Sequence, residues 1–90
     1  MVTIKLKKIK KFDYKEALMG LLEGSPPQGY SVGELRKAVK AIEAISKASN
    51  GVQLEDDIYE FVKKRVNETK YRLAKPEIIE FIDDINSSKK

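Results

Sequence analysis

The side chains that could do chemistry in this chain are carboxylates, lysines and serines, because its 90 residues include neither histidine nor cysteine. That composition removes a thiolate nucleophile, an imidazole acid or base, a zinc site of the Cys/His type and a disulfide framework. Four acids crowd together at Glu55, Asp56, Asp57 and Glu60. Calcium or magnesium would need such oxygens to converge. Three consecutive helical residues instead point in different directions, and no Asx-rich loop with a central glycine accompanies them. Placement in the first turn of a helix accounts for them without a metal, since the helix dipole favours negative charge there. Glu80, Asp83 and Asp84 stand at i, i+3 and i+4, close enough for paired carboxylate work, but with no second catalytic group nearby in sequence. A solvated helix face is the expectation for them. Ser25, Ser31, Ser46 and Ser49 have lysines in their neighbourhood and no histidine base, and "GSPPQG" lacks the spacing and the Lys-Ser/Thr ending of a phosphate-binding loop. The chain reads as non-enzymatic, with no cofactor, no metal and no small-molecule substrate.

Charge offers a second kind of function. Eighteen basic residues against fourteen acids leave a net charge of +4, arranged in blocks. Residues 1–12 carry five lysines and no acid, and residues 63–75 carry six bases against Glu68 alone. Residues 55–60 and 76–85 carry four acids each and no base. Lys5, Lys7, Lys8, Lys10 and Lys11 could grip phosphates, as could Lys63, Lys64, Arg65, Lys70 and Arg72, with Tyr71 interleaved for stacking. Such a surface is the electrostatic footprint of nucleic-acid binding. The excess of lysine over arginine counts against it, because bidentate phosphate grip and base readout favour arginine. Acids of the third and fourth helices would also flank these clusters and weaken their field. Blockwise alternation of sign suits docking against a complementary protein or against copies of the same chain.

Hydrophobic spacing places these residues on elements. Val2, Ile4 and Leu6 alternate with Thr3, Lys5 and Lys7, the pattern of a strand buried on one side, and the alternation breaks at Lys8 as at a bulge or strand end. Asp13 with Glu16 fits a capping box. Tyr14, Ala17, Leu18, Leu21 and Leu22 then make one helical face, with Gly24 as a left-handed cap. "GSPPQGY" is the clear loop. Ser31 with Glu34 is a better capping box, flanked by a Tyr30–Leu35 hydrophobic staple. It opens a helix over residues 32–48 whose expected buried stripe is Leu35, Ala38, Val39, Ile42 and Ile45. Arg36, Lys37, Lys40, Glu43 and Lys47 lie opposite. Val52 and Leu54 form a short extended piece that could pair with the first strand. A third helix then buries Ile58, Phe61, Val62 and Val66. A fourth begins at Pro76, with Ile78, Phe81, Ile82 and Ile85 on one side and Ile79 beside them.

This order of elements, "ELRKAVKAIEAI" and "VQLEDDIYEFVKKRV" above all, resembles small proteins of bacteriophages and prophages. Their pattern pairs an "E-K-x-K-R-x-x-L-A-x-K-I" helix with a "V-x-L-x-x-E/D" turn, a second helix and an acidic tail. The matching pieces here are Glu34–Ile42 and Val52–Asp57. The resemblance implies an assembly or adaptor setting and carries over no functional residues.

The expected architecture is a mainly α domain over residues 1–86. About four helices pack as a small bundle with a short N-terminal strand, which pairs with a second strand near residues 52–54, and residues 87–90 form a frayed tail. With no signal-peptide run and no long apolar span, the expected location is cytoplasmic, in the host if phage-encoded. The expected function is non-catalytic: binding of a protein partner, or self-association as an oligomer, as an adaptor or assembly factor. The exposed, semi-rigid loop with Pro26, Pro27, Gln28 and Tyr30, together with the basic side of the second helix at Arg36, Lys37 and Lys40, is the expected contact surface. The N-terminal strand offers an edge for β-augmentation, which its lysines would equally protect. Nucleic-acid binding through the lysine-rich segments is the alternative.

Overall fold

A computed structural model describes residues 1–24, 26–71 and 74–88. Its elements run β1 (Val2–Lys5), β2 (Lys8–Ile9), β3 (Phe12–Asp13), α1 (Tyr14–Glu23), α2 (Val32–Lys47), β4 (Gly51–Leu54), α3 (Asp56–Glu68) and α4 (Pro76–Asn86). The fold is mainly α, with four helices, as the spacing predicts. The alternating pieces at the two ends of the first half do find each other. β1 and β4 pair antiparallel, with Val2 opposite Leu54 and Ile4 opposite Val52. Those four side chains enter the core, while Thr3, Lys5, Gly51 and Gln53 stay outside. Period-two alternation on both strands therefore fixes the register, because a slip of one residue would turn every apolar side chain outward.

At Lys8 the chain does not bulge; β1 has ended at Lys5, as the alternative of a strand end expects, and a separate hairpin follows. β2 pairs with β3, Ile9 opposite Phe12, around a turn at Lys10–Lys11. Lys10 sits at φ 55, a left-handed conformation that hairpin turns usually give to glycine or asparagine. With lysine at the turn, the usual sequence mark of a hairpin is missing. The hairpin carries Phe12 beside Tyr14 and Phe81, and the three rings meet edge to face at centroid distances of 5.0–6.0 Å.

α1 packs on α2 and α3, α3 on α4, and α4 on β1. Ser31 and Glu34 form the reciprocal capping box at the start of α2. At α1 only half of the expected box exists: the Asp13 carboxylate accepts from the Lys15 backbone N–H. Gly24 is extended (φ −85, ψ 106) and not a left-handed cap; its N–H still closes the helix onto Gly20 O. The left-handed glycine is Gly29, at φ 80, which ends a turn closed by its own N–H on Pro26 O at 2.8 Å. α4 starts with Pro76, buries Ile78, Phe81 and Ile85, and leaves Ile79 exposed.

The stripe of α2 is displaced from its expected position. Ala38, Ala41 and Ile45 are the buried residues, and Ile42 is half-buried. Leu35 and Val39, expected inside, are exposed. Small side chains at 38 and 41 are what α1 and α3 can approach closely.

Two tyrosines fasten α4. The Tyr59 hydroxyl donates to Ile85 O at 2.6 Å from α3. The Tyr14 hydroxyl, on a fully buried ring, donates to Asp84 Oδ2 at 2.6 Å, and Lys7 Nζ donates to the same oxygen at 3.0 Å. Asn67 and Asn86 pair their side-chain amides between α3 and α4 at 2.8 and 3.1 Å. Of the tail expected at 87–90, Ser87 and Ser88 hydrogen-bond back to the last turn of α4, and Lys89 and Lys90 lie outside the described residues.

The Tyr14 hydrogen bond, helped by Lys7, holds the Asp84 carboxyl below its ordinary range, and burial with the Asp84 contact pushes the Tyr14 phenol up. A carboxylate whose folded pKa is depressed stabilises the fold fully above its unfolded pKa, and that contribution is lost as pH falls through the folded value. The Asp84→Asn variant should therefore melt below wild type near pH 6, with the difference narrowing as pH falls below about 4 and through the folded value of Asp84. Thermal melts followed by circular dichroism over that range check it.

Candidate functional site

Arg65 sits on the apolar face of α3, seven residues after Ile58 and three after Val62, and its side chain is buried. Its Nη2 donates to Leu21 O at 3.0 Å and Gly24 O at 2.8 Å, and its Nε donates to the Tyr30 hydroxyl at 3.1 Å. Leu21 and Gly24 lie at the C-terminal end of α1, where carbonyls have no partner within the helix and the dipole favours a cation. Tyr30 in turn donates to Leu22 O at 3.0 Å, its ring is tilted 55° against Phe61 at a centroid distance of 5.7 Å, and the guanidinium lies 5.7 Å from the ring. One buried cation thus closes α1, anchors both ends of the proline loop and sets where α2 begins. Arg65 is accordingly not part of a phosphate-gripping cluster, as its neighbours in sequence suggest; all of its short contacts are internal. The signal was its place in the i, i+4, i+7 stripe of α3.

With the loop fixed this way, a shallow groove of about 500 Å³ runs between α1 and α2. Leu22, Tyr30, Leu35, Ala38, Val39 and Ile42 line it, with Glu23 at its edge. Val32 (68% exposed), Leu35 (50%) and Val39 (44%) form an open apolar strip on α2. At 3.6 residues per turn, this strip lies about 120° around α2 from Ala38, Ala41 and Ile45. Arg36, Lys37, Lys40 and Lys47 are exposed, and Arg36, Lys40 and Lys47 run along the outer flank of the strip. Of the basic side expected at a contact surface, Arg36 and Lys40 border the strip, while Lys37 lies about 165° around the helix from it. Leu35 and Val39 of the strip are what the spacing had assigned to the core, and Tyr30 lines the groove beside them. Pro26, Pro27 and Gln28 instead line a separate depression of about 580 Å³, with Arg65 at its base and Lys70 at its edge. Ser25 lies outside the described residues.

The lysine-rich segments are interleaved with acids. Lys7 pairs with Asp84 at 3.0 Å and Lys10 with Glu77 at 3.8 Å, both acids coming from α4. Lys64 lies 3.9 Å from Glu34 and 4.0 Å from Glu68. Hydrogen bonds from Ser31, aided by Lys64 and Arg65, hold Glu34 below its ordinary range, so it stays charged there. Lys5, Lys8, Lys11 and Lys70 are exposed and Lys63 is half-buried. The Tyr71 ring is half-buried and its hydroxyl donates to Val66 O at 2.9 Å, which ties it to the end of α3. Arg72 lies outside the described residues. Among the described residues no helix is long and apolar enough to cross a membrane.

No protein-family model, no curated protein and no solved structure matches this chain.

If Arg65 holds the loop and the end of α1, replacing it should act on stability far more than replacing its exposed neighbour. Arg65→Met leaves helix-end carbonyls without donors and should cost about 2–4 kcal/mol. Lys64→Met, which removes only solvent-exposed pairs, should cost at most about 1 kcal/mol. Urea unfolding of the two variants beside wild type measures both.

Proposed function

We propose that this protein is a non-catalytic binding module that works through protein–protein contacts, as an adaptor or assembly factor. Its contact surface is the α1–α2 groove, flanked by Arg36 and Lys40. The apolar strip of Val32, Leu35 and Val39 carries this reading. Contiguous exposed apolar side chains on a small domain mark a surface that another molecule covers, whereas isolated ones mean little. Their neighbours fit the same role: an aromatic ring held by internal hydrogen bonds, and a basic rim that would guide an encounter. The likeness to phage and prophage proteins implies work of the same kind. The pairing of Lys7, Lys10 and Lys64 with acids lowers the field that a polyanion would meet, which favours protein over nucleic acid as the partner.

A photo-reactive amino acid placed at Val39 should yield a polypeptide adduct in cells, and one placed at Lys11 should not. Labelled DNA and RNA should bind weakly or not at all at about 50 mM salt. Adducts at Lys11 alone, or nucleic-acid binding that falls by orders of magnitude between about 50 and 200 mM salt, would overturn the proposal in favour of the lysine-rich segments.

A further inference from the structure

The strip on α2 has a period of its own. Val32, Leu35, Val39 and Ile42 follow one another at spacings of three, four and three residues, the a/d seam of a coiled coil. In that frame Ala38 and Ile45 occupy the positions on the inner flank and turn into the protein's own core, where both are buried. Arg36 and Glu43 occupy the corresponding positions on the outer flank, and both are exposed. The residues that set partner choice in such a seam are therefore one cation and one anion, seven residues apart on one side.

Opposite charges one heptad apart on one flank fit a particular partner. When two identical helices pack antiparallel about a two-fold axis, each flank meets the same flank of the other copy. With Val39 opposite Ile42 of the second copy, as an antiparallel seam pairs its two apolar positions, Glu43 comes level with position 38 of the second copy, two residues from Arg36. By symmetry Arg36 meets Glu43 of the second copy, giving two opposite-charge pairs. A parallel arrangement would bring the charged flank against Ala38 and Ile45 and leave the charges without complements. Lys40 and Lys47 lie further out, away from the seam. We infer that the surface takes a second copy of this chain, with α2 packed antiparallel on α2 and Arg36 paired with Glu43 across the contact, an inference that rests on the groove being a contact surface.

The size of the contact sets its strength. α2 has 16 residues and so is about 24 Å long. A seam of that length with Tyr30 at one end falls below the area of a permanent dimer, so the association is weak and concentration-dependent.

Sedimentation of the full chain from about 10 µM to about 1 mM should show the mass rising from 10.2 kDa towards twice that value. Arg36→Glu and Glu43→Arg, each alone, place like charges across the contact and should weaken dimerisation roughly tenfold or more. The double variant Arg36→Glu/Glu43→Arg should restore it. Val39→Asp should abolish it, and Ile79→Asp, on exposed α4, should leave it unchanged. All four sites are exposed, and melting curves confirm that each variant is folded. A wild-type chain that stays monomeric throughout, or a double variant as weak as the sum of its singles, overturns the inference. A monomer that still gives adducts at position 39 with a different polypeptide leaves the contact surface standing and removes only the second copy. A monomer with no such adduct removes both.

Discussion

A positive charge held almost out of water beneath the end of a helix organises this molecule. Burying a guanidinium is costly unless its donors are used, and Arg65 uses them on two α1 carbonyls and the Tyr30 hydroxyl. The planar fork of arginine reaches the helix end and the loop together, which the point charge of a lysine would not. Everything at the α1–α2 junction follows from that placement. The proline loop is pinned at Gly24 and Tyr30, the Ser31–Glu34 capping box starts α2 at a defined angle, and the Tyr30 ring becomes a wall of the groove.

α2 then has more apolar side chains than its neighbours can cover. α1 and α3 reach it through Ala38 and Ala41, where small side chains permit close packing, and through Ile45. Val32, Leu35 and Val39 remain on the open side. In a chain of this size, apolar area left in water contributes nothing to folding, and such a strip invites association. The basic rim and the Arg36–Glu43 spacing would give the proposed association a direction that hydrophobicity alone lacks.

Much of the fold was legible because it follows from periodicity. Val2 and Ile4 alternate as Val52 and Leu54 do, and the two strands pair in the register that buries all four. Pro76 and the Ser31 capping box mark helix starts for stereochemical reasons that hold in any context. The β2–β3 hairpin was not legible, because Lys10 and Lys11 stand where glycine or asparagine would have marked the turn. The α1–α2 groove was half legible. Arg36, Lys40 and Tyr30, which border it, stood out by type, but apolar residues span so wide an arc of α2 that periodicity cannot say which part the core takes. Arg65 was hidden for the opposite reason: a buried cation and a solvated one look alike in a run of Lys63, Lys64 and Arg65, and only its place in the apolar stripe tells them apart.

The most direct measurement is a dilution series of methyl and amide NMR spectra of the full chain, from about 1 mM down to about 10 µM. If α2 carries the contact surface, concentration-dependent shifts will concentrate at Val32, Leu35, Val39 and Ile42, with Ile79 and the Lys8–Asp13 hairpin unchanged. Spectra that do not change with concentration, or shifts centred on the Lys5–Lys11 segment, would contradict the account.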